Sequence, residues 1–191
     1  MRLSRLAAAA AFLPALVVAP LPVASAACPG AEVVFARGRE EPPGVGAVGD
    51  AFVNSLRAKT RMPVGVYGVN YPANIDVESG ATDMSAHVQS MARTCPATRE
   101  VLGGYSLGAE VADVATWRRI PPGVDQHVAA VALFGNGTRR VAPAFAGKTI
   151  DQCAQGDPIC RNGTSWSAHL QPSYIGSGLV DQAASFAAGR L

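Results

Sequence analysis

Histidine and clustered cysteine are scarce in this chain, and their scarcity limits the metal chemistry that it can support. The 191 residues include only three histidines, which stand far apart, and four cysteines with no C-x-x-C spacing. Structural zinc sites are built from clusters of thiolate and imidazole ligands. We therefore expect no metal centre.

A strong excess of charge is also missing, as is a second long hydrophobic run. The formal net charge is +2, and the first 26 residues contribute Arg2 and Arg5 but no acidic residue. Without them, fourteen basic residues would face fourteen acidic ones. Proteins that bind nucleic acid usually carry a basic patch, so we expect no such partner. We also expect no membrane-spanning segment after residue 26.

The first 26 residues are typical of a secretory signal peptide. Arg2 and Arg5 make the start positive, residues 6–21 are apolar, and Ala24-Ser-Ala26 offers small residues for cleavage. The apolar run is too short, and too broken by proline, for a membrane anchor. We expect cleavage after Ala26 and one domain over residues 27–191, secreted into the medium or associated with the cell wall.

All four cysteines lie in the part expected to be exported, where an even number indicates disulfides. The sequence allows three pairings. Cys153 and Cys160 would close a short local loop, which favours that pair and leaves Cys28 to bond with Cys95. A Cys28–Cys95 bond would join the start of the mature chain to the segment before residue 99.

Short apolar runs alternate with segments of helical periodicity, which predicts an α/β protein. Such alternation favours three layers, with a central, mostly parallel sheet covered by helices on both faces. Functional sites of such sheets lie at the carboxyl ends of the strands. Strands are predicted at 31–36, 64–69, from 99 to the turn at 104, 127–134 and 148–150, and helices at 44–61, 82–93, 109–117 and 177–190.

The stretch Gly104-Tyr-Ser-Leu-Gly108 is the most informative part of the chain. It has the form G-x-S-x-G between a predicted strand and a predicted helix, which is the context of a nucleophile elbow. Such a turn exposes the serine hydroxyl, and the N–H of Leu107 would point to where an oxyanion forms. We therefore predict that Ser106 is a nucleophile.

A serine nucleophile needs a general base, and His169 is the best candidate among the three histidines. In α/β hydrolases the chain order is serine, acid, histidine, and His169 follows the other landmarks, in an irregular segment before the last predicted helix. We expect His87 to form a surface pair with Asp83, four residues earlier on a helix. His127 opens a buried strand at the opposite edge of the sheet, so we expect it to be structural.

Four aspartates between the serine and His169 are candidates for the acid. Asp113 lies two turns along the helix after the serine, about 10 Å away. Asp125 precedes a strand, at the wrong end of the sheet. Asp157 lies inside the short cysteine loop, where a disulfide would fix its position, and we favour it. Asp151, just past the last predicted strand, stays open as the alternative.

Five segments form a recognisable set: Phe35-Ala-Arg-Gly38, Asn70-Tyr-Pro72, Gly104-Tyr-Ser-Leu-Gly108, Cys153-Ala-Gln-Gly-Asp-Pro-Ile-Cys160 and His169-Leu170. Together they resemble the cutinase family of serine esterases, particularly the cutinase-like proteins that mycobacteria secrete. The resemblance implies an α/β hydrolase with a five-stranded sheet and no lid domain. It also implies a triad of Ser106, Asp157 and His169, and the disulfides Cys28–Cys95 and Cys153–Cys160.

Two positions depart from the fungal members of that family. Leu107 stands where they have a glutamine, but only the backbone N–H is needed there. Arg39 stands where they have a hydroxyl residue that completes the oxyanion hole. The N–H of Arg39 can still donate, so the resemblance implies an oxyanion hole of Leu107 and Arg39. Loss of the hydroxyl donor can cost roughly 3 kcal/mol of transition-state stabilisation.

We expect a secreted carboxylic-ester hydrolase that uses no cofactor. Apolar segments at residues 42–45 and 172–175 are expected to flank the site, which favours lipidic or medium-chain esters. Arg39 would suit an anionic group such as that of a phospholipid. We expect a monomer that touches lipid surfaces transiently. The alternatives are an acetyl-ester hydrolase that acts on polysaccharide and a catalytically weak cell-surface binding protein that keeps the fold.

Overall fold

A computed structural model describes residues 28–160 and 162–191, so the predicted signal peptide, residues 1–26, lies outside the described residues. No helix in the described ranges is long and apolar enough to cross a bilayer. The strands are β1 (Ala31–Ala36), β2 (Val64–Gly68), β3 (Arg99–Tyr105), β4 (Val128–Phe134) and β5 (Thr149–Gln152). The helices are α1 (Gly46–Lys59), α2 (Val77–Thr94), α3 (Leu107–Arg118), α4 (Trp166–His169), α5 (Gln171–Ile175) and α6 (Leu179–Ala188).

The five strands form one sheet in the order β2-β1-β3-β4-β5, and every neighbouring pair is parallel. The three central strands are almost wholly buried, because helices cover both of their faces. Parallel strands bring their carboxyl ends to one side, which we call the carboxyl edge. The segments that follow β1, β3, β4 and β5 therefore meet at this edge.

Each face of the sheet has its own hydrophobic core. Val33 and Phe35 of β1 pack with α1 and α6 on one face. Val34, the residue between them, packs with α2 and α3 on the other face, together with Leu102 of β3. This confirms the predicted three layers. In the described part of the chain, no separate lid domain stands over the carboxyl edge.

Three helical segments differ from the sequence prediction, and one of them, α4, was not predicted as a helix. Helix α2 begins at Val77, five residues before the predicted start, because the carboxylate of Asp76 accepts the N–H of Ser79 at 3.0 Å and caps it. The segment 172–175, predicted as an apolar loop, lies in α5, where Pro172 occupies the first turn.

Both disulfides are present with the favoured pairing. Cys28 is bonded to Cys95, with Cα atoms 5.6 Å apart, and this bond joins the segment before β1 to the end of α2. Cys153 is bonded to Cys160, with Cα atoms 5.9 Å apart. The second bond closes a loop directly after β5, at the carboxyl edge; we call residues 153–160 the disulfide loop.

Candidate active site

Ser106 lies on a sharp turn between the end of β3 and the start of α3, as the G-x-S-x-G pattern predicts. Its φ is 54° and its ψ is −119°, a conformation that a residue with a Cβ rarely adopts. A Cβ on Gly104 would lie 2.0 Å from the carbonyl oxygen of Gly108, and a Cβ on Gly108 would lie 1.9 Å from that of Ala36. The tight turn therefore needs both glycines.

The structure brings Ser106, His169 and Asp157 into one hydrogen-bonded chain. Ser106 Oγ lies 2.8 Å from His169 Nε2. The other ring nitrogen, Nδ1, lies 2.7 Å from Asp157 Oδ2. This is the arrangement of a nucleophile, a base and an orienting acid.

Asp157 is completely buried, and its carboxylate is surrounded by donors. Oδ1 accepts the N–H of Ile159 at 2.7 Å, and Oδ2 accepts the hydroxyl of Tyr174. Burial raises the pKa of Asp157, but the hydrogen bonds from Tyr174, His169 and the Ile159 N–H outweigh it and hold the pKa below its usual range. The carboxylate therefore stays ionised at neutral pH, as an acid that orients an imidazole must.

His169 ends the short helix α4, where the sequence prediction had an irregular segment. The hydroxyl of Tyr105 donates to the backbone carbonyl of His169, and the two rings stack with centroids 5.7 Å apart. Gly135 has φ +63°, and a Cβ there would lie 3.0 Å from His169 Cε1. The turn after β4 thus leaves room for the imidazole.

The other candidate acids contact different groups. Asp113 is buried and accepts hydrogen bonds from Asn136 Nδ2 at 2.9 Å and from the Thr138 hydroxyl. Asp125 accepts the N–H of Gly123 at 2.8 Å. The alternative acid, Asp151, lies 3.4 Å from Asn136 Nδ2. Asp113 therefore fixes the turn after β4 against α3.

Arg39 and Leu107 line the same pocket as Ser106. Leu107 is the first residue of α3, and Arg39 lies in the turn after β1. The buried guanidinium of Arg37 holds that turn, because it donates to the carbonyl of Glu41 at 2.8 Å and to that of Tyr71 at 2.7 Å. The backbone of residues 38–41 is thus anchored before substrate arrives.

The pocket beside Ser106 has a volume of about 470 Å³ and both apolar and charged walls. Trp166 and Leu170 flank His169 and are 66% and 54% exposed, and Ile159 of the disulfide loop is also exposed. Arg39 and Glu110 supply opposite charges. An open, mostly apolar entrance next to a serine nucleophile suits the acyl chain of an ester.

His87 does not pair with Asp83, so that prediction is wrong. His87 Nε2 lies 2.7 Å from Oε2 of Glu32 in β1, and its ring stacks on that of Tyr67 at 3.6 Å between centroids. Asp83 instead accepts the hydroxyl of Tyr67. The helical i, i+4 rule failed because α2 packs this face against the sheet and does not leave it in water. His127 ends a short 3-10 helix just before β4, so it precedes the strand that it was expected to open.

The side chains of Cys153, Asp157 and Cys160 lie close enough together to suggest a metal site. Both sulfur atoms, however, are joined in the disulfide and so offer no thiolate. The carboxylate of Asp157 is already held by His169 and Tyr174. This cluster is therefore part of the hydrogen-bonded chain and not a metal centre.

The sequence did not indicate the two tyrosines that hold His169 and Asp157 in place. Tyr105 is the variable residue before the serine in G-x-S-x-G, and Tyr174 was assigned to a flanking loop. Tyr174 is completely buried. Its place within five residues of His169 was the available signal, but only the fold shows that its hydroxyl reaches Asp157.

The parallel sheet, the elbow and the serine–histidine–aspartate chain define an α/β hydrolase. Within that class, residues 27–191 match the family model described as Cutinase, and the chain belongs to this family. It is therefore a carboxylic-ester hydrolase of the serine-esterase kind, which confirms the resemblance seen in the sequence.

Two relatives from Mycobacterium tuberculosis are each 50% identical to the chain. One is named "Probable carboxylesterase Culp2", and the alignment covers 100% of this chain and 96% of the relative. The other is named "Phospholipase Culp4", with 100% and 92% covered. Both alignments run over almost the full length of each protein, so the likeness extends well beyond the elbow.

Solved structures give the same result at greater distance. A Trichoderma reesei cutinase in complex with a phosphonate inhibitor is 34% identical, with a TM-score of 0.73 over 85% of this chain and 76% of that chain. The catalytic core domain of an acetyl xylan esterase from the same fungus has a TM-score of 0.76 at 22% identity, covering 86% and 100%. At that identity the second likeness shows the fold alone.

Proposed function

We propose that the protein is a secreted serine esterase that hydrolyses lipidic or medium-chain carboxylic esters through an acyl-enzyme. The observation that carries the proposal is the pair of hydrogen bonds that join Ser106, His169 and buried Asp157. Ser106 Oγ lies 2.8 Å from His169 Nε2, and His169 Nδ1 lies 2.7 Å from Asp157 Oδ2. A hydroxyl bonded to an imidazole that is itself fixed by a carboxylate is a serine ready for activation.

In the proposed first half-reaction, Ser106 Oγ attacks the ester carbonyl carbon and His169 Nε2 takes its proton. Asp157 accepts the Nδ1–H, which keeps the imidazole in the required tautomer and stabilises the imidazolium. The negative oxygen of the tetrahedral intermediate faces the N–H groups of Leu107 and Arg39. The intermediate collapses, and His169 gives its proton to the departing alcohol.

In the second half-reaction, water repeats this sequence on the acyl-enzyme. His169 takes a proton from water, the hydroxide attacks the acyl carbon, and the second intermediate collapses to acid and free Ser106. The proton returns to the serine oxygen, so the side chains end as they began. Groups of this chain perform every step, and we propose no cofactor.

The substrate class follows from the pocket walls. Ile159, Trp166 and Leu170 give an apolar entrance, which favours an acyl chain over the acetyl group of a polysaccharide ester. The relatives named carboxylesterase and phospholipase support lipid esters. Arg39 offers a positive charge for an anionic headgroup. A binding protein without activity is disfavoured by a complete hydrogen-bonded chain.

The proposal also includes the compartment of the protein and its oligomeric state. The predicted signal peptide and two disulfides favour an oxidising compartment outside the cytoplasm, either the medium or the cell wall. The exposed apolar side chains at the pocket entrance favour transient contact of a monomer with lipid surfaces.

Covalent labelling and three variants test the proposed mechanism. A fluorophosphonate should label the wild-type protein at Ser106, and Ser106→Ala should keep the fold but less than about 1% of the activity on nitrophenyl butyrate. Asp157→Asn should lower turnover by up to about 10⁴-fold, because the imidazole loses its orienting carboxylate. Asp151→Asn, the matched control, should keep most of its activity.

Some results would contradict this assignment. Labelling of the Ser106→Ala variant would mean that another residue is the nucleophile. A larger loss in Asp151→Asn than in Asp157→Asn would exchange the two aspartates. A panel of nitrophenyl esters from acetate to palmitate, with a phospholipid beside it, measures the chain length; a strong preference for acetate would favour the polysaccharide alternative.

A further inference from the structure

Glu110 is a charged residue of the pocket that the proposed mechanism does not use. It lines the pocket together with Ser106 and Arg39, and its side chain is half-buried. Glu110 lies in the first turn of α3, the helix that begins directly after Ser106. A carboxyl group therefore stands beside the reacting centre.

Three parts of the fold fix where this carboxyl group lies. Helix α3 carries it. A Cβ on Gly137, in the turn after β4, would come within 3.4 Å of Glu110 Oε1 and within 3.2 Å of Ile159 Cγ2 in the disulfide loop. Asp113, one turn further along α3, holds that turn in place through Asn136 at 2.9 Å. Glu110 is thus packed into the wall of the pocket and does not extend freely into water.

The carboxyl group of Glu110 has no hydrogen-bond donor among residues 28–160 and 162–191. Burial raises its pKa, as does the charge of Asp113, and Arg39 offsets this only in part. Because Glu110 is only half-buried, water can reach its carboxyl group in the free enzyme, and a hydroxyl of a bound ligand can take the place of that water. The pocket therefore has a preformed place for a hydrogen-bond donor.

We propose that Glu110 determines specificity by accepting a hydrogen bond from a free hydroxyl group of the substrate. The substrate class is then an ester with a hydroxyl close to the ester bond, as in partial glycerides and incompletely acylated sugars. A cationic donor fits less well, because the Arg39 guanidinium faces the same cavity and would repel it. This inference rests on the proposed function and restricts the proposed substrates to esters that carry a free hydroxyl group.

Two pairs of dissolved esters test the inference. 2-Hydroxyethyl butyrate and propyl butyrate differ by a hydroxyl in the alcohol part, and methyl 3-hydroxybutyrate and methyl butyrate differ by one in the acyl part. The measured quantity is the ratio of kcat/KM within each pair. A hydrogen bond to a charged acceptor predicts a preference of about tenfold or more for the hydroxylated ester in at least one pair.

Substitution of Glu110 should lower the kcat/KM ratio within a pair, more strongly in Glu110→Leu than in Glu110→Gln. Glu110→Leu removes both acceptor oxygens and should bring the ratio close to one. Glu110→Gln keeps one acceptor oxygen without the charge and should give an intermediate ratio. Asp50→Leu is the matched control: it makes the same kind of change at an exposed position on α1 and should leave the wild-type ratio intact.

The outcomes separate this inference from the proposed function. Hydrolysis of all four esters without a preference in either pair would overturn the role of Glu110 and leave the esterase intact. A preference that survives in Glu110→Leu would overturn it as well. Failure of the wild-type protein to hydrolyse any of the four esters would overturn the proposed function, and this inference with it.

Discussion

Two glutamates stand side by side in the sheet at the edge opposite the pocket. Glu32 of β1 and Glu100 of β3 are direct neighbours in the parallel register. Glu32 is paired with His87, but Glu100 is completely buried, and neither of its oxygens has a partner among the described residues. Burial, helped by the charge of Glu32, raises the pKa of Glu100 to about 8. Glu100 is therefore a neutral acid in the folded protein at pH 7.

This neutral glutamate predicts that stability falls as the pH rises. From the usual glutamate pKa near 4.3 up to about 8, the unfolded chain releases the Glu100 proton while the folded chain keeps it. The free energy of unfolding should therefore decrease by up to about 1.4 kcal/mol per pH unit in this window, and level off above it. Glu100→Gln cannot lose a proton and should lack this slope.

Urea denaturation at pH 5, 6.5 and 8 measures the effect as the difference between wild type and Glu100→Gln. The difference should shift steadily in favour of the variant as the pH rises. Glu40→Gln, at an exposed position, is the matched control and should run parallel to the wild type. Parallel curves for wild type and Glu100→Gln would mean that Glu100 is ionised in the fold.

At the scale of single residues, the sequence was informative where a pattern constrains the backbone. The elbow could be predicted at Ser106, because G-x-S-x-G between a strand and a helix leaves few other conformations. Contacts between distant segments could not be predicted. His87 was paired with its helical neighbour, yet its partner Glu32 is 55 residues away. The contact of the Tyr174 hydroxyl with Asp157 could not be predicted either, since the nearness of Tyr174 to His169 in the sequence does not indicate that the hydroxyl reaches Asp157.

The disulfide loop is the element that joins stability to the proposed chemistry. Cys153–Cys160 links residues only 7 apart in sequence, against 67 for Cys28–Cys95. Closing the shorter loop should stabilise the protein by about 2 kcal/mol and closing the longer one by about 4 kcal/mol in the chain-entropy model. The short loop, however, carries Asp157, so its main effect should be local.

Removal of the short-loop disulfide should therefore affect mainly turnover, and removal of the long-loop disulfide mainly Tm. Cys153→Ser with Cys160→Ser should lower turnover much more than Tm, because a mobile Asp157 no longer orients His169. Cys28→Ser with Cys95→Ser should lower Tm more and leave an enzyme that is active in the cold. Calorimetry and turnover at low temperature measure both quantities, and full turnover in the first variant would argue that Asp157 is not the acid.

At the scale of elements, the order of the strands and of the four longer helices along the chain could be predicted, but the short helices α4 and α5 could not. Continuous apolar runs are characteristic of strands covered on both faces, such as β1 and β4, and all five predicted strands are present. Helix ends were less predictable where they depend on polar caps. The start of α2 was missed because its first turn has few apolar residues, although Asp76 and Ser79 form a recognisable cap.

For the molecule as a whole, the three most exposed large apolar side chains among the described residues lie in segments that follow the carboxyl edge. Ile75 in the segment after β2, together with Trp166 and Leu170 near His169, is 54% to 80% exposed, and all three follow the carboxyl edge. Exposed apolar side chains on the side of the pocket support the proposed transient contact with lipid. The fold thus places the proposed site and these exposed apolar side chains on the same side of the molecule.

Two polar substitutions on this side should weaken hydrolysis of aggregated substrate selectively. Ile75→Ser with Trp166→Ser removes most of the apolar area that could enter a lipid surface, at up to about 1.5–3 kcal/mol per side chain. Activity on a triglyceride emulsion should fall by about tenfold or more relative to activity on a dissolved ester. Met62→Ser, before β2 at the opposite edge, is the control and should leave this ratio unchanged. Equal losses on both substrates would contradict a role in lipid contact.

The Cys28–Cys95 bond also determines how the molecule could be attached to a support. Residue 28 lies just before β1, at the start of a strand that runs about 20 Å to the carboxyl edge. A pull on a tether fixed there would be shared between β1 and, through the disulfide, the end of α2, and it would enter the molecule at the edge opposite the elbow. An immobilised enzyme joined through this point would hold its pocket outward, toward a flowing emulsion, with both walls of the entrance unobstructed.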